Sequence, residues 1–228
     1  MRNRLIFLIT ITALVALAGC RNSSIGGGFN EGEIHYKIIY NNPGGTLPME
    51  LMPNTMVVKF KDDKTIMEIT APIGNSGIYN IIDLAEKQVL TYINFLSIKY
   101  YYKGVTGETP PGIDPMSDIK FIRTGQTSNI NGFNCKHAIA ELPGLDRKFD
   151  IWFTGDINID NPNNSSPYRD IDGVLMSFFY KMGDMIVEFE ATGAYEKDIT
   201  DKDFVLSDKF LRISREDMDN IISKMMCL

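Results

Sequence analysis

The sequence predicts a mainly β domain: one large, curved antiparallel sheet, or a partly open barrel, with a C-terminal helix packed against it. Three observations lead to this fold class. Short segments with an apolar residue at every second position recur along the chain, which is the period of a half-buried strand. Turn-forming residues separate these segments at short intervals. One helical apolar stripe occurs near the C-terminus, and a sheet of about ten strands must curl, split or close on itself.

Residues 1–19 have the layout of a secretory signal peptide. Arg2 and Arg4 precede an apolar and hydroxyl run that ends in small residues. The run is shorter than the roughly 20 apolar residues that a membrane-spanning helix needs. It closes with L-A-G-C at Cys20, the pattern of bacterial lipoproteins, in which the cysteine becomes the N-terminus and carries lipid. The alternative is an ordinary secretory signal in which Cys20 is coincidental.

Residues 20–30 are rich in glycine and serine and predict a lipidated, flexible tether. One acyl chain holds a protein to a membrane only reversibly, whereas two or more anchor it stably. Arg21 stands after the cysteine, where an aspartate would resemble an inner-membrane retention signal. We therefore expect an outer-membrane protein whose lipid makes the membrane its partner, and the sequence leaves the leaflet open.

Residues 31–228 are long enough for a single well-buried domain. Cleavage after residue 19 removes two of the 23 basic residues and none of the 29 acidic ones, so the mature chain has a net charge of −8. This acidic balance lacks the electrostatic footprint of a protein that binds nucleic acid. It also argues against a polybasic patch for anionic lipids, so lipid rather than charge must hold the domain to the membrane.

Alternating segments predict the strands, and short polar turns join several of them into hairpins. The turns are Asp62-Asp63, residues 85–88, Asn131-Gly132 and Gly183-Asp184, and Asn-Gly is the strongest short hairpin signal. Two stretches rich in turn formers, 104–115 and 155–172, predict long surface loops. The predicted strands are 33–40, 56–61, 65–70, 78–84, 89–95, 99–103, 118–127, 135–142, 148–154, 174–182 and 185–192.

One helix is predicted close to the C-terminus. Ser214 is its N-cap, and Asp217 stands three residues further on, in the manner of a capping box. The residues at positions i, i+3, i+4 and i+7 form one apolar stripe that the sheet must cover. They are Met218, Ile221, Ile222 and Met225.

Two cysteines remain besides Cys20. Cys135 and Cys227 would lie in a compartment that permits disulfides, so either a Cys135–Cys227 bridge or two inert thiols fits the sequence. No C-x-x-C spacing occurs, which excludes a zinc or redox site of that type.

Few residues have catalytic or metal-binding potential. His35 and His137 each lie in a predicted strand without further ligands at a metal-binding spacing, and no G-x-S-x-G elbow occurs. Residues 156–161 begin like a calcium loop, but Asn161 replaces its glycine and Pro167 its bidentate glutamate. A solvated turn accounts for the same residues. We therefore expect no cofactor, no metal and no catalytic residue.

Trp152 is the single tryptophan. It is predicted to lie on the face of its strand opposite the one that carries Phe149, Ile151 and Phe153. An exposed Trp152 would suit an anchor for a partner protein, because tryptophan is enriched in binding hot spots. A Trp152 covered by the C-terminal helix would need a hydrogen-bond partner for its indole N–H. We favour the covered position.

Four segments carry a resemblance to a known family. They are I-N-G-F-N-C-K-H at 130–137, K-F-D-I-W-F-T-G-D-I at 148–157, G-V-L-M at 173–176 and D-F-V-L-S at 203–207. Together they resemble envelope proteins of the domain-of-unknown-function and GLPGLI-like group, which is similar to the lipoprotein-carrier (LolA/LolB-like) superfamily. The G-L-P-G-L-I signature is absent, and Gly173–Met176 stands in its place. The resemblance implies a curved, partly open sheet with a helix across its mouth and an apolar concave face, which in the carriers holds acyl chains.

Two functions follow as expectations. In the first, the concave face binds a hydrophobic ligand, a lipid or acyl chain. In the second, the core is closed, and a structural or protein-interaction lipoprotein meets an envelope partner through its outer face or long loops. An enzyme would require a cleft in which one of the histidines meets a carboxylate. The residues predicted to bind the ligand are Ile34, Tyr36, Ile38, Val58, Phe60, Phe149, Phe153, Val187 and Phe189.

Overall fold

One sheet of 12 strands organises the computed structural model, which describes residues 28–41, 50, 52–72, 76–95, 97–205 and 207–227. Its first six strands are β1 (Glu31–Asn41), β2 (Thr55–Lys61), β3 (Lys64–Thr70), β4 (Gly77–Asp83), β5 (Gln88–Phe95) and β6 (Ile98–Val105). The next five are β7 (Lys120–Ile130), β8 (Phe133–Glu141), β9 (Phe149–Thr154), β10 (Val174–Met182) and β11 (Met185–Glu196). A 3-10 helix (Asp201–Phe204), β12 (Leu211–Arg212) and helix α1 (Arg215–Cys227) follow.

The strand order across the sheet is β12-β6-β5-β4-β3-β2-β1-β11-β10-β9-β8-β7. Neighbours are antiparallel, apart from the short β12, which pairs parallel with β6. The chain therefore starts at the centre, meanders outward to β6, crosses to the opposite edge at β7, and returns until β11 pairs with β1. Because β7 and β12 are separate edges within the described residues, the predicted mainly β fold with a large antiparallel sheet is confirmed in its open form.

In the first meander, β1 to β6, both faces of the sheet bury apolar side chains, whereas the alternation predicts one buried and one wet face. On what we call the inner face, Ile34 of β1 pairs with Val58 of β2, which pairs with Met67 of β3. On the outer face, Ile66, Ile81 and Tyr92 form a separate buried cluster. The sheet therefore needs cover on both sides, and the connecting segments supply it.

The C-terminal segment wraps around the β6 edge of the sheet. Ile199 and Phe204 pack on the outer-face cluster, β12 then pairs along the edge, and α1 returns on the inner face. There Met218 and Ile222 are buried against Ile78 and Ile93 of β4 and β5. The predicted cap is present, because the Ser214 hydroxyl accepts a hydrogen bond from the Asp217 amide at 3.1 Å.

Strand β10 pairs with β9 along only the first part of its length. Strand β9 pairs with it only as far as Ser177, after an irregularity that follows Leu175. Beyond that point the Tyr168 hydroxyl donates to the Phe179 carbonyl and accepts from the Phe179 amide, and the Asp114 amide donates to the Lys181 carbonyl. Two loops thus take the place of the missing strand, which satisfies backbone groups that burial would otherwise leave unpaired.

The structure leaves part of the N-terminal prediction untested. The signal peptide at 1–19, Cys20 and most of the tether at 20–30 lie outside the described residues. Within the described ranges, none of the helical structure has the length and apolar character needed to cross a membrane. Cys135 is a free thiol, and burial raises its pKa to about 11, whereas the side chain of Cys227 lies outside the described part.

Candidate functional site

A cavity lies over the inner face of the central strands. Its floor comes from β1 to β4, because the alternation that buries Ile34 and Tyr36 also aligns Val58, Met67 and Asn80 across the paired strands. One wall comes from β10. The wall residues are Val174, Leu175, Phe178 and Tyr180.

Two loops cover this cavity and are called here the roof loops: residues 106–119 and residues 155–173. The first contributes Pro110 and Ile113, and the second contributes Ile159, Pro162 and a polar cluster. The loops are tied together, since the Gly107 amide donates to Ser165 Oγ at 3.0 Å and Arg169 donates to the Gly107 carbonyl at 3.3 Å. The roof is therefore one connected layer, contributed by segments far apart in sequence.

The second roof loop is structured by its own polar groups. The buried Asn163 side chain donates to the carbonyls of Ile171 at 2.7 Å and Gly173 at 2.9 Å. Ser166 Oγ donates to the Asn163 carbonyl and accepts from the Tyr168 amide. These bonds allow a polar segment to be buried, because each buried donor and acceptor has a partner. The prediction of surface loops is thus wrong for the central part of 155–172, and also for residues 109–111 and Ile113 within 104–115, which are buried.

The cavity has a volume of about 90 Å³ and a mainly apolar lining. An engineered apolar cavity of about 150 Å³ holds benzene, and pockets for drug-sized ligands run from about 300 Å³ upward. The space between the sheet and the roof is therefore smaller than a cavity known to hold benzene. A longer ligand would fit only if the roof loops moved.

A buried polar pair lies under this apolar lining. The Thr91 hydroxyl donates to Asn80 Oδ1 at 2.7 Å, and both residues are buried. Nearby, the Tyr36 hydroxyl donates to the Leu175 carbonyl at 2.8 Å. Burial raises the pKa of Tyr36, and the neighbouring Tyr180 phenol adds to this effect, so both groups stay neutral at physiological pH.

Charged side chains clamp helix α1 to the first roof loop. Glu108 receives hydrogen bonds from Tyr102 at 2.7 Å and from Arg215, and Asp219 accepts from the Gly112 amide at 2.8 Å. Arg215 also pairs with Asp219 at 3.3 Å. Partial burial alone would raise the pKa of Glu108, but the hydrogen bonds from Tyr102 and Arg215 outweigh it and lower the pKa below its ordinary value.

This clamp predicts a pH-dependent contribution to stability. The folded-state pKa of Glu108 lies below its ordinary value of 4.5, so the contribution is present above pH 4.5 and is lost as the pH falls below it. Glu108→Gln should lower the free energy of unfolding at pH 7 by about 1–3 kcal/mol and flatten the loss of stability as the pH falls below 4.5. Urea unfolding across this range checks it, with Glu86→Gln in an exposed turn as the control; equal pH profiles for the two variants would contradict the clamp.

The residues predicted to bind a ligand fall into three groups. Ile34, Tyr36 and Val58 line the cavity. Four more are buried in the main core without lining it: Ile38, Phe60, Val187 and Phe189. The last two also belong to this core without lining the cavity: the ring centroids of Phe149 and Phe179 are 3.9 Å apart, and Phe153 lies beneath the Arg123 guanidinium.

The position of Phe149 follows from the alternation in β10. Phe178 stacks on Phe189 at 5.0 Å, and Phe179 is the next residue along the strand. Since successive side chains point to opposite faces, Phe149 and Phe189 pack against opposite faces of β10. The sequence predicts that they share one apolar surface, whereas the structure places their partners Phe179 and Phe178 on opposite faces of β10.

Both histidines are satisfied by neighbouring side chains. His137 is buried between Thr124 and Asp150, with Nδ1 at 2.8 Å from the threonine hydroxyl and Nε2 at 2.9 Å from the carboxylate. His35 Nε2 lies 2.9 Å from Glu33. Neither imidazole lines the inner-face cavity. The described residues contain no group of three or more side chains suited to hold a metal ion.

Trp152 contacts His137, with ring centroids 4.5 Å apart. Its strand is on the far side of β1 from the strands that helix α1 covers. The interpretation that the helix covers Trp152 is therefore wrong. The helix also lies at the β4–β6 end of the inner face, while the roof over the cavity is made by loops, which differs from the helix across the mouth that the resemblance implies.

Comparisons with known proteins give one family and a fold. The sequence profile of a domain of unknown function, DUF4412, matches residues 37–161, which is more than half of the chain. No curated protein matches the chain significantly. The structure of PNGF-II in the C2 space group is 16% identical, with a TM-score of 0.50 over 86% of this chain and 32% of that one. The chain thus spans about a third of the length of PNGF-II, and this likeness shows the fold alone.

Proposed function

The chain belongs to the DUF4412 family, a domain family of unknown function, and from that premise we propose that it is a lipid-anchored envelope protein that binds an acyl chain in its inner-face cavity. The lipid is carried by Cys20, and the location is the outer membrane. The domain acts as a binding module without catalysis. The finer assignment, to the GLPGLI-like group and the lipoprotein-carrier superfamily, is part of this proposal.

The observation that carries the proposal is the apolar cavity between the sheet and the roof loops. Its floor is built by side chains that point inward from four adjacent strands, so it belongs to the fold rather than to a surface irregularity. Apolar lining with a few polar groups is the usual composition of a ligand pocket. Here the polar groups are Asn163, Ser165 and Ser166 at the roof and Asn80 at the floor.

The size of the cavity defines how such a ligand would bind. A volume of about 90 Å³ accepts the tip of an alkyl chain and no more while the roof is closed. The roof loops must separate for deeper entry, and within the described residues two hydrogen bonds join them directly, from Gly107 to Ser165 and from Arg169 to Gly107. Each buried methylene contributes about 0.8 kcal/mol, so a longer buried segment offsets the loss of these bonds.

A second candidate function has its own support. The same small volume fits a closed core, and the protein would then act as a structural or protein-interaction lipoprotein of the envelope. Its partner would contact the outer face or the exposed parts of the loops. The two functions differ in whether filling the cavity changes binding of an alkyl chain.

Filling the cavity provides the test. In the soluble Cys20→Ala form, Val58→Phe should weaken the binding of dodecanoic acid at least tenfold, because the larger ring occupies the space that the alkyl chain enters. Val57→Phe is the matched control, since Val57 is the preceding residue of β2 and points to the opposite face. Isothermal titration calorimetry measures both affinities, and native mass spectrometry identifies any lipid that copurifies with the parent form.

The two functions give different outcomes. Acyl-chain binding requires that the parent protein and Val57→Phe bind dodecanoic acid while Val58→Phe does not. If dodecanoic acid fails to bind the parent protein, and no lipid copurifies with it, the closed-core function replaces the first proposal. If both valine variants bind equally, the ligand lies somewhere other than this cavity.

A further inference from the structure

The antiparallel strands give the domain two distinct ends. At one end lie Gly28–Asn30, the turns at Asp62-Asp63 and Asn131-Gly132, and the roof loop 155–173. At the other end lie the turn at Gly183-Asp184 and the connection 142–148. We call them the tether pole and the far pole, because the chain joins the domain at the first.

The chain is fixed where it joins the tether pole. The Asn158 amide donates to the Phe29 carbonyl at 3.2 Å, and Asn158 Nδ2 lies 2.9 Å from both the Gly28 carbonyl and Asn30 Oδ1. The Phe29 ring packs on Phe60 and Phe133, with centroids 5.6 and 6.4 Å away. These contacts hold residues 28–30 against the second roof loop rather than leaving them as part of the tether.

The point of attachment is beside the cavity. Ile159 and Pro162, which line the cavity, follow Asn158 within four residues of the same loop. Asn158 itself comes from the D-x-N-x-D run that begins like a calcium loop, and Asp156 of that run accepts a hydrogen bond from the Asn134 amide at 2.8 Å. The run therefore serves to fix the N-terminal segment and the roof to each other.

Chain length then restricts how the domain can face a membrane. Seven residues lie between Cys20 and Gly28, and the eight Cα–Cα steps that join them reach at most about 29 Å when fully extended. Strand β1 has 11 residues, which span about 37 Å between the two poles. A lipid on Cys20 therefore cannot reach past the body of the domain to a bilayer at the far pole.

We propose that the tether pole, with roof loop 155–173 and the adjacent end of the cavity, faces the bilayer that holds the anchor. This inference rests on the lipid anchor proposed above and deepens it by naming the partner surface. An alkyl chain then moves between bilayer and cavity at the near end of the domain.

Charge identifies the kind of bilayer surface. The exposed residues of the tether pole include Asp62, Asp63, Asp156, Asp160 and Asp172. Such an acidic end is repelled by anionic lipids within about one Debye length, roughly 8 Å at physiological ionic strength. The tether pole therefore suits a bilayer of zwitterionic headgroups. The short tether, rather than electrostatic attraction, brings the pole close to that bilayer.

The test uses two matched labels on the acylated full-length protein. Asp63→Cys and Asp184→Cys each place a fluorescein at a two-residue hairpin turn, one at each pole, in a Cys227→Ser background. Cys135 is fully buried and its raised pKa keeps it unreactive. The proteins are reconstituted in phosphatidylcholine vesicles that contain rhodamine-labelled phosphatidylethanolamine, and energy transfer reports the distance of each label from the surface.

Energy transfer from residue 63 should exceed that from residue 184, with a difference in distance on the order of 30 Å. Equal transfer from both labels, or greater transfer from residue 184, would overturn the orientation. Mass spectrometry of the N-terminal peptide, done first, separates this result from failure of the anchor: an unmodified Cys20 rejects the lipid anchor and this inference with it. Exchange of phosphatidylcholine for phosphatidylglycerol should reduce the transfer from residue 63, and an increase would overturn the charge argument.

Discussion

Tyr168→Phe should lower the free energy of unfolding by roughly 2–4 kcal/mol, although it removes a single oxygen atom. The Tyr168 hydroxyl bonds both the carbonyl and the amide of Phe179, at the point where β10 has lost β9 as a neighbour. Tyr168 is fully buried, so water cannot replace either bond. The variant leaves two unpaired backbone groups in an apolar surrounding, and each costs about 1–3 kcal/mol.

The matched control is Tyr92→Phe. Tyr92 is also buried, but within the described residues its hydroxyl has no hydrogen-bond partner. Removal of that oxygen should leave stability unchanged or raise it by up to about 1 kcal/mol, because an unsatisfied polar group is lost from the outer-face cluster. Urea unfolding of the two variants measures both effects. A similar effect in both would show that the two hydrogen bonds of the Tyr168 hydroxyl do not substitute for the missing strand.

The strands of the first meander were predictable because local patterns define them. The alternation around Ile34 and Val58 requires one buried and one wetter face, and it reproduces β1 and β2 to within a few residues. The turn at Asn131-Gly132 was predictable from these two residues alone. Both have positive φ, at 51° and 91°, which is the conformation that favours Asn-Gly in a hairpin.

The order of strands and the roof were not predictable in this way. The pairing of β11 with β1 joins segments about 150 residues apart, and no local pattern specifies that partnership. The roof loop 155–173 has the composition of an exposed loop, and its burial depends on Asn163 finding the carbonyls of Ile171 and Gly173. Tyr168 and Ile171 within it were the available signal, since large apolar side chains in a polar loop indicate a segment that folds back on the core.

The residues of the candidate site were likewise predictable only in part. Alternation alone selects Ile34, Tyr36 and Val58, which line the cavity. It also selects Phe149, which packs on Phe179 and does not line the cavity. A period of two identifies which residues are buried, but the order of the strands and the course of the roof loops decide which of them share one cavity.

Gly173→Ala should be the most destabilising small change where roof loop 155–173 joins β10, with an expected loss of roughly 3–5 kcal/mol in the free energy of unfolding. Gly173 has φ at +128°, which side chains with a Cβ rarely adopt, and an added Cβ would lie 2.5 Å from the Thr154 carbonyl oxygen. Because that atom is backbone of β9, no side-chain movement relieves the contact. The displaced backbone would also move the Gly173 carbonyl away from Asn163, which orders the roof.

Gly144→Ala separates the clash from the conformational strain. Gly144 also has positive φ, at +87°, but an added Cβ would meet nothing within 4 Å. It should lose only about 1–2 kcal/mol, the cost of the backbone conformation. Thermal and urea unfolding of the two variants give the difference, and equal losses would mean that the structure accommodates a Cβ at 173 without moving β9. If Gly173→Ala is as costly as expected, the glycine that stands in place of the G-L-P-G-L-I signature is required by the contact between the roof and β9, independently of any ligand.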